Sequence, residues 1–122
     1  MKPPLPLKRQ LAEQSGRNAE GQAEELLVEQ GWEILDRRVK TKVGEIDLVA
    51  ARDGVIAFVE VKYRRDPAEL DFAIDEYRLS RVAAAAEAVA HNYAEQGEDI
   101  TIDVILLAPG VKPRHIANAW QP

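Results

Sequence analysis

Four residues in one short stretch carry side chains that could do chemistry together: Glu45, Asp47, Glu60 and Lys62. Their spacing gains meaning from Asp53-Gly54, which lies between the two pairs. That dipeptide favours a two-residue hairpin loop. With Asp53 and Gly54 as the loop, Arg52 faces Val55, Ala50 faces Ala57, Leu48 faces Val59, Asp47 faces Glu60 and Glu45 faces Lys62. Side chains alternate between sheet faces. Glu45, Asp47 and Val49 then share a face with Phe58, Glu60 and Lys62, while Ile46, Leu48, Ala57, Val59 and Val61 form a packing face. Directly opposed residues have Cβ atoms about 4.5–5.5 Å apart, and like charges there are destabilising. Asp47 opposite Glu60 is therefore costly with nothing between them. A divalent cation would turn the repulsion into a ligand pair. Lys62 would point the same way and place a positive charge beside the cation. The same pattern also fits a solvated sheet face on which Lys62 and Glu45 form an ordinary cross-strand ion pair. Glu45 competes with Asp47 as a ligand, and a slip of one residue would dissolve the pairing.

Composition narrows the metal chemistry. The chain has no cysteine and only two histidines, His91 and His115. Thiolate sites are absent and a histidine-rich zinc site is disfavoured. A metal here would sit on carboxylates, which suits magnesium, manganese or calcium. No nucleophile elbow, phosphate-binding loop or dinucleotide glycine signature is present.

Charge is unevenly placed. The 122 residues carry a net charge of −5, which argues against a general polyanion binder. Between Arg37 and Arg65, however, eight cations face four anions, so this segment is net +4 and the remainder net −9. That allows a local basic face on an acidic protein; ordinary solvated strand ends give the same count. No apolar run is long enough for a signal peptide or a membrane helix, so a cytoplasmic protein without membrane association is expected.

The elements that must position these residues follow from periodicity. One domain is expected over residues 15–122, after an N-terminal arm over 1–14 that is loose from Met1 to about Lys8. A helix fits from about Ser15 to Gln30, with Ala19, Ala23, Leu26 and Leu27 as its apolar stripe and Gly31 as its cap. A turn over Lys8 to Gln14 would extend this helix or stand apart. Strands are expected over Trp32–Val39, Val43–Ala51 and Val55–Tyr63. A charged loop spans Arg64 to Asp75. A second helix runs from about Asp75 to Gln96, with Leu79, Val82, Ala86 and Val89 on its apolar face and Gly97 as its cap. Thr101–Leu107 reads as a buried strand, Pro109-Gly110 as a turn and His115–Trp120 as a last short strand. The class is α/β, in the order α-β-β-β-α-β-β.

Gly44-Glu45-Ile46-Asp47-Leu48-Val49 followed by Phe58-Val59-Glu60-Val61-Lys62 resembles the PD-(D/E)xK nuclease motif. From about Gly16 to Trp120 the chain is similar to the YraN-like family, itself similar to archaeal Holliday-junction resolvases and restriction endonucleases. Gly16 and Glu20 in the first helix and Ile102-Asp103-Val104 near the end also carry the resemblance. It implies a restriction-endonuclease-like core, a mixed sheet flanked by helices. It implies Asp47 and Glu60 as ligands of magnesium or manganese, Lys62 as the catalytic lysine, and Glu20 reaching the site from the first helix as ligand or catalytic group. Arg64, Arg65, Arg78 and Arg81 would hold the nucleic-acid backbone. The substrate would be DNA, branched or otherwise structured. A homodimer and a protein partner are further expectations of this resemblance and of the acidic surface.

Glu20 lies in line with Ala23 and Leu27, and a carboxylate on that stripe needs a partner. It would also fit the stripe's edge, paired with Arg17 or Lys62. The chain departs from the family in two places. Leu70-Asp71-Phe72 occupies a loop that is usually glycine-rich, and Arg78 stands where a lysine is usual. Arginine can hold a phosphate but cannot transfer a proton. His91 is expected at the surface, His115 without an obvious partner, Asp103 within the sheet, and Trp32 and Trp120 in packing roles. Two rival functions remain open: a nucleic-acid-binding module without catalysis, and a protein-interaction role with solvated acids. Fold alone does not decide among them.

Overall fold

The computed structural model describes residues 7–121, so most of the expected loose arm lies outside the described residues. Helix α1 spans Leu7–Glu29 without interruption, and the turn considered for Lys8 to Gln14 is its first part. Its stripe of Ala19, Ala23 and Leu27 is buried. The helix ends in a Schellman closure: Gly31 has φ +89°, its N–H donates to Val28, and the Trp32 N–H donates back to Leu27 at 2.9 Å. Buried Trp32 then packs in the same cluster as Leu27.

Five strands follow: β1 (Glu33–Lys40), β2 (Glu45–Arg52), β3 (Val55–Tyr63), β4 (Asp99–Leu107) and β5 (Arg114–Ile116). They lie side by side in chain order. β1/β2, β2/β3 and β4/β5 are antiparallel and β3/β4 is parallel. A parallel pair needs a long crossover, and helix α2 (Glu76–Val89) supplies it. Asp53 and Gly54 both take positive φ, +48° and +78°, as a type I′ turn requires, and Arg52 faces Val55 as the turn chemistry demands.

The helices cover opposite faces of the sheet. Beneath α1, Ala19, Ala23 and Leu27 meet Leu48, Ala57, Val59 and Ile105. Beneath α2, Leu79, Val82, Ala85 and Ala86 meet Ile46, Val49, Phe58 and Val104. The central strands are buried on both sides, which explains their continuous apolar runs. The solvated-face reading of the hairpin therefore fails: Val49 and Phe58 are fully buried.

Three expectations need correction. The last strand, expected over His115–Trp120, is Arg114–Ile116. Ile46 does not share a face with Leu48; it packs beneath α2 with Val49 and Phe58. The regular alternation breaks between them, at Asp47. The second helix is also shorter than the periodicity suggests. It ends at Val89 and passes into a 3-10 turn, Ala90–Asn92. Tyr93, just beyond, stacks edge-on against Phe58 at 5.9 Å and donates to Asp36 at 2.7 Å, fixing the end of the turn to the sheet. The charged loop after β3 contains a 3-10 helix, Pro67–Phe72, capped by Asp66, which sinks Leu70 into the core.

Candidate active site

The break at Asp47 opens the sheet where the acids are. The β2/β3 ladder runs from Arg52↔Val55 to Leu48↔Val59 and stops there. Asp47 and Glu60 are thus not a ladder pair, contrary to the strict hairpin count. The Asp47 carboxylate instead accepts from the Val61 N–H at 2.7 Å, taking a ladder donor that a backbone carbonyl would otherwise use. The strands part, and a cleft of about 530 Å³ lies between them, α1 and α2.

The cleft gathers Glu20 from α1, Glu45 and Asp47 from β2, Glu60 from β3, and Arg78 and Arg81 from α2. Gly44 also lines it, and a Cβ at that position would lie 3.2 Å from the Arg81 carbonyl oxygen. The missing side chain lets α2 come close to β2, which brings its arginines over the acids. Asp75 caps that helix, accepting from the Tyr77 N–H at 2.8 Å.

Each acid is held differently. Asp47 has its pKa pushed up to about 6, first by burial and then by the neighbouring charges of Glu20, Glu60 and Glu45, against the lowering effect of the Val61 N–H. Glu60 is buried beside Lys62, with Nζ to Oε1 at 3.1 Å and both side chains under a tenth exposed (8% and 9%). Arg78 Nε reaches the same oxygen at 3.4 Å. Glu20 accepts from Arg38 Nε at 2.9 Å; of the two partners expected for it, Lys62 pairs with Glu60 and the Arg17 side chain lies outside the described residues. Glu45 is exposed at the cleft.

Arg64 and Arg65 do not join this group. The Arg64 guanidinium donates to the Tyr63 carbonyl at 2.8 Å, and Arg65 is exposed on the loop after β3. Lys62 is buried behind Glu60 and does not itself line the cleft. Three participants were missed by sequence reasoning. Arg38 carries no local signal, since its partner is 18 residues away. Tyr63 and Tyr77 line the cleft, though their sequence neighbourhood marks them only as strand and helix residues.

Outside the cleft, His115 has a partner after all. Its Nε2 lies 2.8 Å from Asp103 Oδ2, and its Nδ1 lies 3.0 Å from Gln30 Oε1. Asp103 is fully buried and also accepts from the Asn118 N–H at 2.9 Å. Sequence order hid this pair because β5 pairs with β4 only in the folded sheet. His91 is exposed and Trp32 buried, as expected.

Among the described residues, no three carboxylate or imidazole groups are close enough to hold an ion without rearrangement. The donor set nevertheless suits a hard divalent cation. It is all oxygen, it converges on one cleft, and the charges of Glu20, Glu60 and Glu45 bear on the carboxyl of Asp47.

The profile of the uncharacterised protein family UPF0102 matches residues 19–107, a span that holds all of these cleft residues. The chain belongs to the UPF0102 family. This is the YraN-like family that the motifs indicated. A UPF0102 protein of Erythrobacter litoralis is 69% identical over 116 residues, 95% of this chain and 100% of that one. Relatives of the same description from Sphingopyxis alaskensis and Rhizorhabdus wittichii are 53% and 50% identical, each over 93% of this chain and over 98% and 96% of their own length. The α/β architecture, a five-stranded mixed sheet between two helices, agrees with a restriction-endonuclease-like core.

Proposed function

We propose that the protein is a metal-dependent nuclease that hydrolyses phosphodiester bonds in branched or otherwise structured DNA. One observation carries this reading: a partly buried Asp47 carboxyl that shares a cleft with Glu20, Glu45 and Glu60 and feels their charges, the cleft being lined as well by Arg78 and Arg81. Like charges gathered at a cleft beside cations that suit phosphate are costly unless a cation and a polyanion use them.

Asp47 and Glu60 would hold magnesium or manganese, with Glu20 completing the set directly or through water. A bound ion supplies Lewis acidity toward the phosphodiester. Arg78 and Arg81 orient the DNA backbone, since guanidinium groups match phosphate geometry. Lys62 fixes the Glu60 carboxylate from behind, so that Glu60 faces the ion in one orientation. Glu45 at the cleft is the alternative carboxylate to Asp47.

A second reading is favoured by one feature. Lys62 and Arg78 already compensate the charge of Glu60 without a metal. This fits a module that binds nucleic acid and does not cleave it. Such a module would bind DNA in chelator, and binding would survive Lys62→Ala.

The test is titration of magnesium and manganese by calorimetry, comparing wild type with Asp47→Asn and Glu60→Gln, followed by cleavage assays on four-way junction, flap and plain duplex DNA. The reading expects binding that both substitutions weaken at least tenfold and cleavage that requires the cation. Absence of binding with and without DNA would overturn it.

A further inference from the structure

Arg38 sits in the middle of β1 with φ +52°. Non-glycine residues adopt this left-handed region infrequently, and a strand interior does not favour it. Such a conformation persists only where the surroundings over-determine it, and it gathers at functional sites. The register shows what this one achieves. Arg37 pairs with Leu48 and Val39 with Ile46, so Arg38 stands across from Asp47, yet these two are not ladder partners. The ladder is interrupted on both sides of Asp47: toward β3 beyond Leu48, and toward β1 at Arg38.

The altered backbone carries the guanidinium to α1, where Nε donates to Glu20 Oε2 at 2.9 Å. Its neighbour Arg37 makes a separate pair with Glu24, one helical turn along. Arg38 also feels the charges of Glu45 and Asp47, which together with Glu20 hold its proton more firmly. One cation therefore faces three of the four carboxylates of the cleft. Its hold on Glu20 is nevertheless exchangeable: the two side chains are 49% and 28% exposed. Solvent-exposed ion pairs contribute little net stability. A divalent cation carries twice the charge and would compete for the same carboxylate.

We propose that Arg38 is a placeholder cation: it occupies Glu20 in the metal-free protein, gives that carboxylate up when a divalent ion enters at Asp47 and Glu60, and then binds a substrate phosphate. This rests on the metal-dependent reading above. It makes Arg38 a positioning residue for Glu20 in one state and a phosphate contact in the other. No bond is made or broken in the exchange.

The experiment has two arms. The first titrates manganese alone, by calorimetry, into wild type, Arg38→Gln, Glu20→Gln and the double variant. Arg38→Asn is run in parallel because asparagine tolerates the left-handed backbone. The expected result is about two- to fivefold tighter manganese binding in Arg38→Gln and Arg38→Asn, the range an exposed ion pair allows, and no gain in the Glu20→Gln background. The second arm measures four-way junction binding by fluorescence anisotropy, in calcium and in chelator. Loss of Arg38 should weaken DNA binding several-fold in calcium and little in chelator. Unchanged or weaker manganese binding in both Arg38 variants would overturn the proposal. So would a gain that persists without Glu20, or equal DNA losses in calcium and chelator. If wild type binds no metal with or without DNA, the nuclease reading fails and this proposal fails with it. If wild type binds metal and the Arg38 variants match it, only this proposal fails.

Discussion

Asp47 makes the folded protein respond to pH in the opposite sense to an ordinary acidic residue. Its pKa rises from 3.8 to about 6, because burial and the charges of Glu20, Glu60 and Glu45 outweigh the hydrogen bond from Val61. An acid whose folded pKa lies above its unfolded value binds its proton more tightly when folded. In metal-free buffer its ionisation therefore costs stability. The cost is absent below about pH 4, grows as pH rises between the two values, and is complete above about pH 7. A difference of that size corresponds to about 3 kcal/mol at most, at ~1.4 kcal/mol per tenfold change in proton affinity. Relaxation of the partly open cleft reduces it, so about 1–3 kcal/mol is expected. Asp47→Asn removes the charge and keeps an oxygen that can accept from the Val61 N–H. In chelator at pH 8 the variant should be more stable than wild type by that amount, roughly 4–12 °C in Tm for a domain of this size. At pH 4 the two should coincide. Urea denaturation at pH 4, 6 and 8 checks this. Parallel stability profiles, or a variant less stable at pH 8, would refute the argument that Asp47 is a strained acid. Adding magnesium at pH 8 should stabilise wild type and leave Asp47→Asn nearly unchanged.

Two further outcomes follow from buried polar pairs. Lys62→Met should destabilise the fold by about 2–4 kcal/mol in urea denaturation, because Glu60 would be left buried with only the more distant Arg78. Adding Glu60→Gln should recover much of the loss, and equal instability in the double variant would contradict the pairing. Asp103→Ala should cost about 2–4 kcal/mol by leaving His115 and the Asn118 N–H without their buried acceptor. A change below about 0.5 kcal/mol, the scale of an ordinary surface substitution, would mean that this contact does not anchor β5.

Much of the architecture was legible in the sequence because it rests on local signals. Asp53-Gly54 specified a type I′ turn, and that turn fixed the β2/β3 register from Arg52↔Val55 to Leu48↔Val59. The spacing of Ala19, Ala23 and Leu27 identified the buried face of α1. The element order was readable for the same reason: helix and strand periods differ, and each is set within a few residues. The identities of the cleft acids were readable too, since their residue types and strand positions carry the information.

Tertiary structure decided how those residues meet. Strict alternation put Ile46 beside Leu48 and Asp47 opposite Glu60, and both failed because Asp47 uses its side chain to take the Val61 N–H. A side chain that substitutes for a backbone acceptor leaves no trace in the hydrophobic pattern. The Glu20–Arg38, Glu60–Arg78 and Asp103–His115 contacts each join separate elements. They depend on how α1 and α2 cover the two sheet faces and on β5 pairing with β4. Residue type and spacing thus determine which groups this protein can bring to a reaction. Packing between distant segments determines which of those groups face one another, because charge and hydrogen bonding act over a few ångströms of space whatever the separation along the chain.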